Sequence, residues 1–136
     1  MIYDFEVPGK VIGKGRPRLN TYSGIVYTPT KTKDYETLVE QYFLLKYPKF
    51  KVFEGRVKVS IIAYFAIPKV TKKSDINEML DNNISPTKKP DIDNIVKVVL
   101  DSMNKFAFKD DNQITKLEVE KKYSIEDKIY IKIEEY

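Results

Sequence analysis

The stretch Val57-Lys58-Val59-Ser60-Ile61-Ile62-Ala63-Tyr64-Phe65 places a strongly apolar residue at every second position. Successive side chains of a β-strand point to opposite faces of the sheet, so a period of two residues predicts a strand with one buried face. The length and regularity of the alternation are typical of a central strand. We therefore take residues 57–65 as the predicted centre of the fold.

A helix and a further strand are predicted on the N-terminal side of this centre. The helix covers about residues 32–47, with Thr30 or Thr32 as its N-cap and Pro48 just beyond its end. Its apolar face is predicted from the spacing of Tyr35, Leu38, Val39, Tyr42 and Leu45. The alternation of Tyr3, Phe5 and Val7 predicts a half-buried strand that ends at Pro8-Gly9, and a short hairpin or turn is expected over residues 22–29. We interpret the tyrosines of this half as core or interface residues: Tyr22, Tyr27, Tyr35, Tyr42 and Tyr47.

On the C-terminal side, residues 68–90 lack a convincing period and predict a long mobile loop, with one short helical turn at 74–80. Asp91 after Pro90 is a good N-cap for a helix whose apolar face is Ile92, Ile95, Val96, Val99 and Met103. A turn at 109–112 then leads to strands at about 116–121 and 129–133. This order predicts one α+β domain over residues 1–136, a small mixed β-sheet with two main helices packed on one face.

The composition excludes several kinds of chemistry. The 136 residues include no cysteine, histidine or tryptophan. There are 24 basic and 20 acidic side chains, which gives a net charge of +4. A structural zinc site, a thiol nucleophile, a Ser-His-Asp triad and a histidine base are therefore excluded. An enzyme of this composition must rely on carboxylates, lysines, tyrosines or hydroxyls, helped by a hard metal ion bound through oxygen.

The sequence also gives an expectation about location. No apolar run approaches the roughly 20 residues needed to span a bilayer. The N-terminus carries acidic residues where a signal peptide has a basic region. We expect a cytoplasmic protein that does not associate with a membrane.

The densest group of polar residues is Lys88-Lys89-Pro90-Asp91-Ile92-Asp93-Asn94-Ile95-Val96-Lys97, followed later by Asp110-Asp111. Asp91 lies at the predicted helix start, Asp93 in the first turn, and Lys97 one turn further on. One interpretation is structural: helix caps, ordinary turn residues and an Asp93–Lys97 surface pair. The other is a Mg²⁺ site, in which carboxylates hold the ion and a lysine neutralises charge on a phosphate.

A second group is the basic loop Gly13-Lys14-Gly15-Arg16-Pro17-Arg18. It is not a phosphate-binding Walker A loop, because no Gly-x4-Gly-Lys-Ser/Thr pattern fits it. Glycines that allow close approach, with two arginines separated by a rigid proline, would suit DNA phosphates. A charged loop between strands is the alternative.

Together these strings resemble the RusA family of Holliday-junction resolvases, through most of the chain and in the same order. The strings that carry the resemblance are Lys14-Gly15-Arg16-Pro17-Arg18, Lys89-Pro90-Asp91-Ile92-Asp93-Asn94-Ile95-Val96-Lys97 and Asp110-Asp111-Asn112-Gln113. The resemblance implies a RusA-like fold and a homodimeric, Mg²⁺-dependent endodeoxyribonuclease that nicks four-way DNA junctions symmetrically in recombination and repair, with Mn²⁺ expected to substitute.

The resemblance also implies roles for individual residues. Asp91, Asp93 and Asp111 would hold the metal ion, and Lys97 would assist catalysis. Asp110 either contributes to the metal site or only shapes the turn. The residues that we expect to contact DNA are Lys14, Arg16, Arg18, Lys88 and Lys89. With the four aspartates assigned to a metal site, the other charged side chains balance at +8, a basic body around an acidic centre.

Two further interpretations stay open. Pro90-Asp91 with Glu120-Lys121-Lys122 formally satisfies the PD-(D/E)xK nuclease pattern, whose two halves normally lie on adjacent strands. The chain could also be a non-catalytic module that binds DNA junctions, its aspartates serving as caps. A dimer has an independent reason under the nuclease interpretation, because two opposed nicks need two sites and a two-fold axis supplies them.

Overall fold

A four-stranded mixed sheet forms the centre of the fold, with the strand order β1-β6-β4-β5. The computed structural model describes residues 1–136. Its elements in chain order are β1 (Ile2–Pro8), β2 (Arg18–Leu19), β3 (Val26–Tyr27), α1 (Thr30–Lys46), β4 (Val57–Ala66), α2 (Lys73–Leu80), α3 (Ile92–Met103), β5 (Ile114–Ser124) and β6 (Lys128–Glu135). β6 pairs antiparallel with both β1 and β4, whereas β4 and β5 run parallel. The predicted α+β class and mixed sheet are confirmed.

The predicted central strand lies inside the sheet, between β6 and β5, and its side chains alternate between buried and half-buried. On the buried face Ile61 of β4 lies opposite Ile131 of β6, which in turn lies opposite Phe5 of β1. The helices α1 and α3 cover this face and pack against each other. Their fully buried apolar side chains are Val39 and Phe43 from α1 and Ile95, Val98, Val99 and Met103 from α3.

Helix α1 differs from its prediction in two respects. It begins at Thr30 after Pro29, and no side chain caps it, so the predicted cap at Thr30 or Thr32 is wrong. The Thr32 hydroxyl instead accepts a hydrogen bond from the Gly15 N–H at 2.9 Å and donates one to the Gly13 carbonyl at 3.4 Å. The predicted apolar face is confirmed for Tyr35, Leu38, Val39 and Tyr42, which are buried or pack against the core. It is wrong at Leu45, which is 76% exposed, and Phe43 is buried in its place.

The segment predicted as a mobile loop contains helix α2, which extends the predicted helical turn by one residue and buries none of its side chains. The mobility of the segment stays a prediction. The peptide bond between Lys89 and Pro90, at the end of the segment, is cis. None of the helices is both long enough and apolar enough to cross a membrane.

The strands β2 and β3 form a separate two-stranded hairpin, which pairs with no strand of the main sheet. Of the tyrosines interpreted as core or interface residues, Tyr35 is in the core. Tyr22 lies at the hairpin tip and is fully exposed, so it is not a core residue.

Candidate active site at the start of helix α3

Asp91 and Asp93 lie at the start of α3 with their carboxylates exposed. Asp91 is the N-cap residue in extended conformation, yet its side chain makes no capping hydrogen bond. Neither carboxylate takes part in an ion pair within the chain. The interpretation of these two aspartates as a helix cap and half of an Asp93–Lys97 pair is therefore not what the structure shows. Both carboxylates are available to a ligand.

The basic loop packs directly against this helix start. The Lys14 N–H donates a hydrogen bond to the Asn94 carbonyl at 2.9 Å. A Cβ atom added to Gly13 would lie 2.7 Å from the Cβ atom of Pro90 and 3.0 Å from that of Asn94, closer than real side chains approach. Only glycine therefore lets the loop come this close to α3.

The loop and the helix start enclose a polar cleft of about 350 Å³. Its lining residues come from both sequence groups: Gly13, Lys14, Arg16, Lys89, Pro90, Asp91 and Asn94. No large apolar side chain lines it, and the cations of Arg16 and Lys89 share it with the carboxylate of Asp91. This combination suits a phosphate group together with a cation bound to carboxylate oxygen.

Lys14 is the centre of an ion-pair network behind the cleft. Its Nζ atom lies 3.0 Å from Oδ2 of Asp101 and 3.2 Å from Oε1 of Glu36, and its side chain is only 18% exposed. Burial alone would lower the pKa of Lys14, but the hydrogen bonds to Asp101 and Glu36 outweigh it and the pKa lies above its ordinary value. The ammonium group is thus already engaged within the chain, and its predicted contact with DNA stays a prediction.

Asp101 connects this network to Lys97. The Lys97 Nζ atom lies 3.2 Å from Oδ1 of Asp101, so the lysine pairs forward along the helix and not back to Asp93. Asp93 and Asp101 each lie four residues from Lys97 in the sequence, so spacing alone does not favour either as its partner. Asp101 is favoured because Lys14 holds its second oxygen in place.

Asp111 lies close to the same group, in a 3₁₀ turn at Asp111–Gln113 that precedes β5. Its Oδ1 atom is buried and has no hydrogen-bond partner. Burial raises the pKa of Asp111, the negative charges of Asp101 and Asp110 raise it further, and the positive charge of Lys97 opposes them. A desolvated carboxylate oxygen without a partner is a suitable ligand for a cation.

Gln113 holds this turn in place with four hydrogen bonds. Its Oε1 atom accepts from the N–H groups of Lys109 and Asp110 at 2.7 and 3.0 Å. Its Nε2 group donates to the carbonyls of Phe53 and Gly55 at 2.8 and 2.9 Å. The turn that carries Asp110 and Asp111 is therefore tied to the segment that leads into β4.

The structure brings some of the predicted residues together and leaves others apart. Asp91 lines the cleft, Asp111 lies with Lys97 and Asp101, and Lys14 contacts both groups. No three carboxylates lie close enough to one another to hold a metal ion between them. The donor atoms are nevertheless all carboxylate oxygens, which is the chemistry that a hard divalent cation prefers.

The remaining residues predicted to contact DNA lie on the surface around this region. Arg18 is exposed on β2, and Lys89 is exposed in the cleft wall. Lys88 is also exposed; its Nζ atom lies 5.8 Å from the centre of the Phe65 ring, and its carbonyl accepts a hydrogen bond from Lys121.

The sequence analysis missed four residues that organise the site, namely Thr32, Glu36, Asp101 and Gln113. The spacing of Lys97 and Asp101 was as visible as that of Asp93 and Lys97. Gln113 was part of the quoted Asp-Asp-x-Gln string but received no role. The contacts of Thr32 and Glu36 join distant parts of the chain, so no local pattern signals them.

The PD-(D/E)xK pattern does not match this geometry. Glu120, Lys121 and Lys122 lie on β5, but Asp91 starts a helix and lies on no strand. Glu120 is paired with Lys122 at 3.4 Å, and Lys121 donates to the Lys88 carbonyl. The two halves of the pattern are therefore not placed on adjacent strands.

Comparison with known proteins identifies the family of this chain. The chain matches the family model of endodeoxyribonuclease RusA over residues 8–134, which include the basic loop, α3 and the turn at Asp111. It is also 33% identical over 135 residues to YqaN, an uncharacterized protein of Bacillus subtilis (strain 168), with 96% of this chain and 94% of the relative covered. RusA-family nucleases resolve Holliday junctions, act on branched DNA and depend on a divalent metal ion. Because the match covers nearly the whole chain, this protein belongs to the RusA endodeoxyribonuclease family.

Proposed function

We propose that this protein is a Mg²⁺-dependent endonuclease that resolves four-way DNA junctions by paired symmetric nicking as a homodimer. The observation that carries the proposal is the polar cleft in which Arg16, Lys89 and Asp91 meet. It joins cations able to bind phosphate to a carboxylate able to bind metal. The ion-pair network of Lys14, Asp101 and Lys97 lies directly behind it.

Asp91, Asp93 and Asp111 are the proposed metal ligands, and Asp110 is a further candidate beside them. A divalent cation supplies activation of water and neutralisation of charge at the scissile phosphate when it is bound. Mn²⁺ is expected to substitute for Mg²⁺, since carboxylate and water ligands suit both ions. The orphaned Oδ1 atom of Asp111 supports this assignment, because the fold leaves it desolvated without compensation.

Lys97 is proposed to stabilise the negative charge that develops on the phosphate. Its side chain is more than half exposed, so its ammonium can reach a bound substrate from its pairing with Asp101. Arg16, Arg18, Lys88 and Lys89 are proposed to bind the DNA backbone. Arginine suits this role because its planar guanidinium can bind a phosphate with two parallel hydrogen bonds.

Cleavage of a synthetic four-way junction tests the nuclease proposal. Asp93→Asn should bind the junction as wild type does but cut it at least 100-fold more slowly in Mg²⁺. Asp75→Asn is a matched control, because Asp75 is likewise an acid in the first turn of a helix, α2. Equal cutting by Asp93→Asn and wild type would refute the site assignment. Binding without any cutting by wild type would favour a junction-binding module.

Lys97→Ala should lose cleavage while the junction affinity changes little. A gel-shift titration beside the cleavage assay separates the two effects. If binding falls in step with cleavage, Lys97 is a binding residue and not a catalytic one.

Arg16→Ala and Arg18→Ala should each weaken junction binding and reduce the slope of log affinity against log salt concentration by about one. Lys46→Ala is the control, since Lys46 is paired with Asp4 at the C-terminal end of α1, whereas the basic loop contacts Thr32 near the N-terminal end of that helix. If both loop variants keep the wild-type slope, Arg16 and Arg18 do not contact DNA phosphates.

A further inference from the structure

The hairpin formed by β2 and β3 exposes an unusual amount of apolar surface. Leu19 is 59% exposed, Ile25 63%, Val26 64%, and Tyr22 at the tip is fully exposed. These side chains lie within one short hairpin, so they form a contiguous group and not scattered surface residues. Contiguous exposed apolar surface of this kind marks an interaction site.

The fold does not provide a partner for the hairpin. Leu19 lies opposite Val26 in the two-stranded ladder, and Arg18 lies opposite Tyr27. Leu19 and Val26 share one face, Arg18 and Tyr27 the other, and all four side chains are exposed. An isolated two-stranded hairpin is only marginally stable in water, so a bound partner on either face would stabilise it.

The tip is nevertheless held in a defined conformation. The Asn20 side-chain oxygen accepts hydrogen bonds from the N–H groups of Tyr22 and Ser23, and the Asn20 carbonyl accepts one from Gly24 at 2.8 Å. Gly24 has φ = +71°, a backbone conformation that glycine adopts without strain. The Tyr22 ring is therefore presented to solvent by an ordered turn.

The charge around the hairpin identifies the partner. Residues 10–33 carry six cations and no carboxylate: Lys10, Lys14, Arg16, Arg18, Lys31 and Lys33. A second copy of this chain docked here about a two-fold axis would bring two such segments together, and their like charges would repel. A polyanion would be attracted instead. The hairpin is also continuous with the cleft, because Arg16 lines the cleft and Arg18 begins β2.

We propose that the hairpin Arg18–Tyr27 is a wedge that enters the centre of a four-way DNA junction, where Tyr22 stacks on an unpaired or unstacked base. Apolar wedges that separate bases, and aromatic rings that stack on them, are common means of binding DNA without reading its sequence. The wedge explains how the protein distinguishes a branch point from linear duplex, whose bases are all stacked. The inference rests on the proposed junction substrate but not on cleavage.

The test is a binding titration in EDTA, with a synthetic junction that carries 2-aminopurine beside the branch point and a linear duplex of the same sequence. Wild type should increase the 2-aminopurine fluorescence, because this base loses its stacked neighbour when Tyr22 stacks on that neighbour. Tyr22→Ala should abolish this increase and weaken junction binding about tenfold, with duplex affinity within about twofold of wild type. Tyr22→Trp should restore both signals.

Ile125→Ala is the matched control. Ile125 is 86% exposed at the turn between β5 and β6, outside the basic segment, and its loss should change neither signal. Wild-type fluorescence and affinity in Tyr22→Ala would overturn the inference. So would a shift from dimer to monomer in Tyr22→Ala during sedimentation without DNA, which would make a second copy the partner.

The outcome is independent of the nuclease proposal. If wild type unstacks the junction through Tyr22 but never cuts it in Mg²⁺, the wedge proposal stands and the nuclease proposal is wrong. If Tyr22→Ala cuts junctions normally and gives the wild-type fluorescence signal, the nuclease proposal stands and the wedge proposal is wrong.

Discussion

Asp111 is a carboxylate whose surroundings disfavour a negative charge. Burial and the charges of Asp101 and Asp110 raise its pKa, although Lys97 opposes them. An aspartate with a raised pKa in the folded state stabilises the fold only while it is protonated, and this contribution is lost as the pH rises through the folded-state pKa. Ionised Asp111 therefore weakens the fold at neutral pH, and the proposed metal site is maintained at a cost in stability.

Asp111→Asn should consequently raise the melting temperature at pH 7 by a few degrees while abolishing Mg²⁺-dependent cleavage. The gain should vanish as the pH falls below 3.8, the ordinary aspartate pKa, because wild-type Asp111 is then neutral as well. Thermal melts across this pH range measure the effect. Added Mg²⁺ should stabilise wild type but not the variant, since only wild type retains the proposed ligand. A variant that is less stable than wild type at pH 7 would contradict the prediction.

Gln113 does not touch the proposed metal site, yet it positions the turn that carries Asp110 and Asp111. Gln113→Met keeps the size of the side chain and removes all four of its hydrogen bonds. We expect the Mg²⁺ concentration for half-maximal cleavage to rise about tenfold, because a loosened turn holds Asp111 less well. Junction affinity in EDTA should not change.

Gln41→Met provides the control for this substitution, since Gln41 is an exposed glutamine of α1 outside the site. Gln113→Asn is a second check, because it keeps the amide group on a shorter side chain that cannot reach all four partners. Its Mg²⁺ requirement should therefore stay close to that of Gln113→Met. A Gln113→Met protein with the wild-type Mg²⁺ requirement would show that the clamp has no role in metal binding.

Helix α3 and the basic loop act as one unit because Gly13 lets their backbones approach. In Gly13→Ala the added Cβ atom would lie 2.7 Å from that of Pro90, so the loop must move away from the helix start. We expect cleavage to fall at least tenfold, since Arg16 and Asp91 would no longer share the cleft. The core does not include this loop, so the melting temperature should change by only a few degrees.

Gly9→Ala is the control, because a Cβ atom there would meet nothing within 4 Å, while its φ of +96° strains any other residue. It should lower the melting temperature without slowing cleavage. Comparing the cleavage rates and melting temperatures of the two variants measures how much the loop–helix contact contributes to cleavage and to stability. Normal cleavage by Gly13→Ala would mean that the two parts of the cleft function independently.

The elements that the sequence predicted well are those whose pattern is local. The alternation in residues 57–65 identified β4, and the spacing after Asp91 identified α3. Only the last residue of the apolar face of α1, Leu45, was misplaced, because residues 42–45 are Tyr-Phe-Leu-Leu, a run in which each residue is apolar enough to be buried. Only packing against α3 and β1 decides that Phe43 points inward.

The site was predicted to a similar extent and for the same reason. Asp91, Asp93 and Lys97 lie within a few residues of one another, so their placement on one helix followed from the sequence. The parallel pairing of β4 with β5 and the contact of Lys14 with Asp101 join residues far apart in the chain. Such contacts depend on the tertiary fold, and local periodicity contains no information about them.

The distribution of charge over the molecule favours a polyanionic substrate. The cations of the basic loop and the carboxylates proposed to bind metal lie in different segments of the chain. The acid-free segment 10–33 carries six cations and is proposed to attract DNA, whereas the proposed metal ligands Asp91, Asp93 and Asp111 belong to other segments. A net charge of +4 therefore understates the positive potential that a phosphate backbone meets. One chain offers only one such arrangement, however, and a four-way junction must be cut on two strands to be resolved.

The homodimer proposal makes a prediction about mixed dimers. If wild-type protein exchanges subunits with a large excess of Asp93→Asn, most active dimers will contain a single functional site. On a supercoiled plasmid with an extruded cruciform these dimers should produce nicked circles, whereas wild type alone should produce linear plasmid by two opposed nicks. The product ratio on an agarose gel measures this directly.

An excess of Asp75→Asn is the control and should leave linear plasmid as the product, because every dimer then retains two functional sites. If an excess of Asp93→Asn also leaves the product linear, or if the protein sediments as a monomer on the junction, paired cutting by a dimer is wrong.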